Sequence, residues 1–154
     1  MDAISHGAWG ATLLRSRSLV GWAVLTGLLP DLLPALYGIY RYRGEFFKDM
    51  INQSFANHPE QTYVILYRWC HSLIPISILT GITLAFAPSW TVLAIPYYLH
   101  LLLDVPTHRG IWATRLFYPL SDAHVEGWDW WRHPWVSVGN WAVLVGVNIY
   151  FFTR

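Results

Sequence analysis

Charged residues are scarce in this sequence. Asp, Glu, Lys and Arg make up only 12% of the 154 residues, whereas an ordinary soluble domain contains roughly 25%. The longest runs without a charged residue or a histidine cover residues 72–99 and 134–153, and a helix needs roughly 20 apolar residues to cross the hydrocarbon core of a bilayer. The composition therefore predicts one integral membrane domain over residues 1–154, in the cell (inner) membrane, with the lipid bilayer as its partner.

Cysteine and clustered basic residues are also scarce. Cys70 is the only cysteine, which excludes an internal disulfide. The formal net charge is +1 and the arginines are scattered, so the basic stripe that nucleic-acid binding requires is missing. The first six residues contain no Lys or Arg. We therefore expect no cleaved secretory signal, and a first helix that remains in the mature protein.

Hydrophobic runs and turn residues predict an all-α, polytopic membrane bundle of four to five helices. Two antiparallel hairpins and a C-terminal helix are expected from residues 3–14, 18–42, 62–87, 90–105 and 136–152. The hairpin turns fall at residues 15–17 and at Pro88-Ser89, and residues 44–61 form a polar loop. Basic residues border both ends of the second helix, so the sequence leaves the orientation in the membrane open.

Ionisable side chains within the helical part of the chain are few. Each is a functional hypothesis, because a charged group in a membrane is costly unless it is paired or lines a cavity. These residues are His6, Asp31, Arg68, His71, His100 and Asp104, with His108 just beyond the fourth helix. His100, Asp104 and His108 recur every four residues, so they share one stripe of a helix if Pro106 lets the helix continue.

Counting from the predicted turns places several of these side chains at a common depth. His71 lies about 18 residues before the second turn, and His100 and Asp104 lie about 11 and 15 residues after it. His6 and Asp31 lie about 10 residues before and 15 residues after the first turn. At roughly 1.5 Å per residue, each hairpin brings its polar residues to similar heights. Four helices are therefore expected to contribute to one site.

Imidazole nitrogens and carboxylate oxygens are ligands that zinc, manganese and iron take in proteins. We predict a site for one or two divalent metal ions, with zinc as the first choice. The predicted ligands are His6, Asp31, His71, His100, Asp104 and His108. A catalytic ion lowers the pKa of bound water to about 7 and makes it a nucleophile. The site therefore favours a hydrolase that acts on a phosphoester or lipid-like substrate, with Asp104 and the anion-binding Arg68 as catalytic residues.

The same residues carry a resemblance to a known family. The chain resembles the YdjM-like family of membrane-bound metal-dependent hydrolases, and the resemblance runs through most of its length. The motifs are Asp2-Ala3-Ile4-Ser5-His6-Gly7, Gly27-Leu28-Leu29-Pro30-Asp31, Arg68-Trp69-Cys70-His71-Ser72-Leu73, His100-Leu101-Leu102-Leu103-Asp104 and Pro119-Leu120-Ser121-Asp122. Each motif is short, but the five occur in the family's order. The resemblance implies a membrane-embedded metal site and a hydrolytic activity.

The sequence departs from the family pattern at two places. The third motif usually resembles His-Arg-Gly-x-Thr-His-Ser, whereas this chain keeps only the last histidine and serine, as His71 and Ser72. The family tends to have Thr and then Gly after the aspartate of the fourth motif. Here Thr107 and Gly110 are separated by His108 and Arg109, which supplies an additional histidine. Any ligand role of the missing family histidine is lost or replaced.

Simpler interpretations of each residue stay open. His100 and Asp104 can form a hydrogen-bonded pair that locks two helices, and Asp31 can cap a helix segment after Pro30. His6 can be a packing histidine, and Arg68 can extend toward the lipid headgroups. The alternative to an enzyme is therefore a metal or ion carrier, or a structural bundle that uses the same polar cluster.

Overall fold

The computed structural model describes residues 1–15, 18–42 and 62–153. Within these ranges the chain forms helices and no strand. Six α-helices occur there: α1 (Ala3–Leu13), α2 (Val20–Tyr42), α3 (Thr62–Cys70), α4 (Leu73–Phe86), α5 (Ala94–Asp104) and α6 (Pro134–Phe152). Two short 3-10 segments cover Pro88–Leu93 and Gly110–Trp112. The loop predicted for residues 44–61 and most of the turn predicted at residues 15–17 lie outside the described residues. The all-α class is confirmed.

Two of the described helices are long and apolar enough to cross a membrane. They are α2, with 23 residues, and α6, with 19 residues. α3 and α4 pass the same test only together, as one span bent by 51°. This composition is compatible with a membrane protein, as the scarcity of charge predicted.

The prediction of one continuous helix over residues 62–87 is wrong. The helix breaks after Cys70. Ser72 caps the next helix with an extended backbone, φ −117° and ψ 147°, and its Oγ accepts a hydrogen bond from the Ile74 N–H at 3.2 Å. Pro75 has no N–H to donate to the carbonyl of His71, so the break is chemically favoured. His71 consequently stands at the break, where its side chain is fully buried.

The helix predicted for residues 90–105 also differs from the structure. The chain forms the 3-10 segment Pro88–Leu93 before α5 begins at Ala94, and Pro96, which lacks an N–H, fits the first turn of the new helix. α5 ends at Asp104, yet the N–H groups of Thr107 and His108 both donate to the Asp104 carbonyl at 3.1 Å. His108 therefore stays beside Asp104, although the helix does not continue through Pro106.

Glycine allows α1 and α2 to approach closely. A Cβ atom on Gly10 would lie 2.3 Å from the Ala23 carbonyl oxygen, and one on Gly27 would lie 2.7 Å from the His6 carbonyl oxygen. Residue numbers rise along α1 as they fall along α2, so these two helices run antiparallel. His6 is thereby held against the part of α2 that carries Asp31.

α6 attaches to α1 through polar contacts. Trp9 Nε1 donates to Asn140 Oδ1 at 2.8 Å, and Asn148 Nδ2 donates to Thr12 Oγ1 at 2.9 Å. Most of the apolar side chains of α6 are otherwise exposed, and Leu144 is its buried residue. Such an exposed apolar surface suits contact with lipid.

Candidate metal centre

Four acidic and histidine side chains converge in the interior of the helices. Asp31 comes from α2, His71 from the break between α3 and α4, and His100 and Asp104 from α5. One ligand atom from each residue lies within 4.8 Å of every other. We call these four residues the primary group. The primary group can hold a metal ion.

The two histidines of the primary group are oriented by backbone carbonyls. Nδ1 of His71 donates to the Tyr67 carbonyl at 2.9 Å, and Nδ1 of His100 donates to the Gly27 carbonyl at 2.7 Å. A carbonyl oxygen only accepts, so each Nδ1 carries a hydrogen. In the neutral rings both Nε2 atoms therefore present lone pairs, and these two atoms lie 3.2 Å apart. Metal-binding histidines are commonly held in this way.

The spacing between these atoms matches a shared ion. Two ligand atoms about 2.1 Å from one tetrahedral ion lie about 3.4 Å from each other. His71 Nε2 lies 3.4 Å from both Asp31 Oδ1 and Asp104 Oδ2. His100 Nε2 lies 3.1 Å from Asp104 Oδ2 and 3.9 Å from Asp31 Oδ1. These atoms are all acceptors while the rings are neutral, so a cation among them relieves their mutual repulsion.

The burial of Asp104 favours a cation beside its Oδ2. Asp104 is fully buried, and its Oδ2 has no hydrogen-bond partner in the described part of the chain. A buried carboxylate oxygen without a partner is costly. Asp31, by contrast, has a side chain that is 25% exposed. The primary group is therefore closed on the Asp104 side and accessible on the Asp31 side.

The remaining predicted ligands lie on the other side of Asp104. His6 Nε2 is 3.0 Å from Asp104 Oδ1, and the His6 ring stacks on His100 with centroids 3.7 Å apart. His108 Nδ1 is 3.4 Å from the same oxygen. The structure thus brings the other five predicted metal ligands around the Asp104 carboxylate, and the ligand roles stay predictions.

Arg68 lies on α3, one turn before His71, and is partly buried. Its Nε is buried and has no hydrogen-bond partner within residues 1–15, 18–42 and 62–153. Burial and the nearby charge of Arg68 lower the pKa of the Arg115 guanidinium. The two guanidinium groups therefore interact electrostatically. The catalytic role of Arg68 stays a prediction.

Sequence analysis did not single out Arg115, Met1 or Gly27 as candidate functional residues. Arg115 is buried and donates from Nη1 to the Ala113 carbonyl at 3.1 Å. The Met1 amino group contacts Asp104 Oδ1 and donates to Thr107 Oγ1 at 3.0 Å. Gly27 supplies the carbonyl that orients His100. Only Gly27 carried a sequence signal, as a small residue one turn before Asp31.

A strap of residues 127–130 fixes the chain that follows α5. The N–H groups of Gly127 and Trp128 donate to the carbonyls of His108 and Pro106 at 2.9 and 2.8 Å. Beside the strap, Glu126 accepts the Gly110 N–H at 3.0 Å, and this hydrogen bond is the main cause of the lowered pKa of the Glu126 carboxyl. The strap thereby holds His108 in place.

Comparison with protein-family models, with curated proteins and with solved structures gave no significant match for this chain. The class of the protein is accordingly defined by its own features. It is an all-helical chain with helices able to cross a membrane and with a buried His/Asp group that can bind a metal ion.

Proposed function

We propose that this protein is a membrane-embedded, metal-dependent hydrolase that cleaves a phosphoester, and that it belongs to the YdjM-like family. The ion is zinc, with manganese or iron as alternatives, and the protein resides in the cell (inner) membrane. The observation that carries the proposal is the pair of Nε2 lone pairs, on His71 and His100, that face each other and two carboxylates. A hairpin arrangement of the membrane helices, as predicted from sequence, belongs to the same proposal.

The ligand set supports zinc over magnesium or calcium. Two imidazoles with two carboxylates suit zinc, manganese or iron, whereas magnesium and calcium prefer oxygen ligands alone. The two carboxylate charges balance a divalent ion in a buried setting. When bound in such a group, zinc acts as a Lewis acid and lowers the pKa of bound water to about 7.

Arg68 and Arg115 support an anionic substrate. A guanidinium presents a planar fork of donors that matches phosphate oxygens. The Nε of Arg68 has no partner among the described residues, so it is free to donate to a substrate. Tyr67 lies next to Arg68 in the chain and stacks on His71 with ring centroids 3.9 Å apart. Arg68 itself lies three residues before His71, about one helical turn away, which supports an anion-binding role near the primary group.

The surroundings of the site support a lipid-like substrate. The Trp-rich segment that includes the strap exposes large aromatic surfaces, with Trp128 56% and Trp135 58% exposed. Tryptophan rings favour the headgroup layer of a membrane. A phosphoester on a lipid would reach the site from that layer.

The proposal predicts hydrolysis that depends on metal. The purified protein in detergent is expected to cleave at least one member of a panel containing a lipid phosphate monoester, a lipid phosphodiester, a nucleotide ester and an aryl phosphate. The metal chelator EDTA and the His71→Ala substitution are each expected to abolish this cleavage, because both remove the ion. Phosphate release and headgroup release are the measurements.

The matched control is His124→Ala, which removes an exposed histidine whose ring contacts Glu126 outside the primary group. This variant is expected to retain the activity of the wild type. Inactivity of metal-loaded wild-type protein across the whole panel would contradict the hydrolase assignment and favour a carrier or a structural bundle.

A structural bundle is the second candidate function, and one observation favours it. A proton on His71 Nε2 would let that ring donate to a carboxylate, because both Asp31 Oδ1 and Asp104 Oδ2 lie 3.4 Å away. Such an ion pair would hold α2, α5 and the break between α3 and α4 together without any metal. Tight zinc binding excludes this candidate, because a proton and a zinc ion compete for the same lone pair.

A further inference from the structure

The two oxygens of Asp104 face two different sets of ligands. Oδ2 points to the primary group, 3.1 Å from His100 Nε2 and 3.4 Å from His71 Nε2. Oδ1 points away from it, 3.0 Å from His6 Nε2 and 3.4 Å from His108 Nδ1. A carboxylate that divides its oxygens in this way is placed to bridge two ions.

We propose a second metal position beside Asp104 Oδ1, with His6 and His108 as its further protein ligands. The position takes a divalent ion of the same class as the primary group, with Asp104 bridging the two. This proposal rests on the proposed metal binding of the primary group, because the bridging carboxylate belongs to both positions.

The distances from Asp104 Oδ1 to His6 and His108 are compatible with an ion at the second position. Ligand atoms on a common zinc ion lie about 3.4 Å apart at the tetrahedral angle and somewhat closer at smaller angles. The distances of 3.0 Å and 3.4 Å from Asp104 Oδ1 to the two imidazole nitrogens fall in this range. His6 is 1% and His108 is 6% exposed, so both rings are held in place by the packing around them.

The chain also holds these two rings independently of each other. His6 is placed by its stack on His100. His108 is placed by the hydrogen bond from its backbone N–H to the Asp104 carbonyl and by the strap at Gly127. Rings fixed from different elements converge on one oxygen, which is the arrangement that binding of an ion requires.

A positive group already lies on this side of Asp104. The Met1 amino group contacts Oδ1, lies 3.0 Å from Thr107 Oγ1 and approaches His108 Nδ1 to 3.5 Å. The pocket around Oδ1 is therefore built to accept positive charge. A metal ion there takes over the contact with Oδ1 from the amino group.

A second ion also narrows the substrate class. Pairs of metal ions about 3.5–4 Å apart recur in enzymes that cleave phosphate esters, because they hold both the attacking and the leaving oxygen. A paired site therefore favours a phosphoester over a carboxylic ester or a peptide.

The test is the metal-to-protein ratio of the full chain after stripping and titration with zinc. The wild type is expected to bind two equivalents. A variant with His6→Gln and His108→Gln is expected to bind one equivalent and to leave the primary group filled. The control variant His124→Ala is expected to bind two.

Electron paramagnetic resonance of the manganese-loaded wild type gives a second readout that requires no variant. Two ions bridged by Asp104 are expected to show a spin-coupled spectrum, and the double variant is expected to show the spectrum of an isolated ion. One equivalent in the wild type with an uncoupled spectrum would overturn the second position while leaving the proposed function intact. No bound metal in the wild type would overturn both.

Discussion

Asp104→Asn is expected to weaken zinc binding by more than about 100-fold, since even the loss of a partner outside the ligand shell costs 10–100-fold. Asp104 is fully buried and its two oxygens face four histidines. An amide keeps the shape of the side chain, but it removes the negative charge and leaves only one oxygen as an acceptor. The loss should therefore affect metal at both sides of the residue.

Zinc affinity by competition with a chromophoric chelator measures this effect. The matched control is Asp122→Asn, because the Asp122 side chain is 76% exposed and contacts Arg115 instead of the histidines. Asp122→Asn is expected to bind zinc like the wild type. An unchanged affinity in Asp104→Asn would mean that zinc binds elsewhere in the protein.

Arg68→Ala is expected to reduce kcat for phosphoester hydrolysis by about 10²–10³-fold, the usual effect of removing one donor that stabilises developing negative charge. Its guanidinium has a buried Nε without a partner among the described residues, and it lies near Arg115. Bound zinc is expected to stay at the wild-type level, because Arg68 offers no lone pair to a metal. Steady-state kinetics and metal content of the same preparation measure both effects.

Two further variants separate binding of the anion from general packing. Arg68→Lys keeps the charge but loses the planar fork, so it is expected to recover only part of the lost activity. Arg41→Ala removes an exposed arginine at the end of α2 and is expected to behave like the wild type. Full activity in Arg68→Ala would contradict the role of Arg68 and leave the metal site unaffected.

The sequence predicted the helical class and the convergence of the site for physical reasons that the structure makes visible. Residues four apart on a helix share a face, so His100 and Asp104 come together wherever that helix lies. The residue count from the second turn predicted His71 opposite them. In the structure His71 Nε2 lies 3.2 Å from His100 Nε2 and 3.4 Å from Asp104 Oδ2. An ionisable side chain within an apolar run is costly to bury, so these isolated residues indicated a functional site.

Other features depend on contacts between distant segments, which local patterns do not encode. The break at His71 had local signals in Ser72 and Pro75, yet a long apolar run favoured one continuous helix. The burial of Arg115 and the strap that pairs Gly127 with His108 arise from loop packing. The division of the Asp104 oxygens between two sets of histidines follows from side-chain orientation, which sequence spacing leaves undetermined.

The central claim is that the primary group binds a metal ion, and elemental analysis of purified protein tests it most directly. Wild-type protein exposed to zinc and then dialysed is expected to retain at least one equivalent. The variant with both His71→Ala and His100→Ala is expected to lose the ion of the primary group, because only two carboxylates remain there. Helical content by circular dichroism confirms that this variant is folded. Equal, near-zero metal in wild type and variant would contradict the claim.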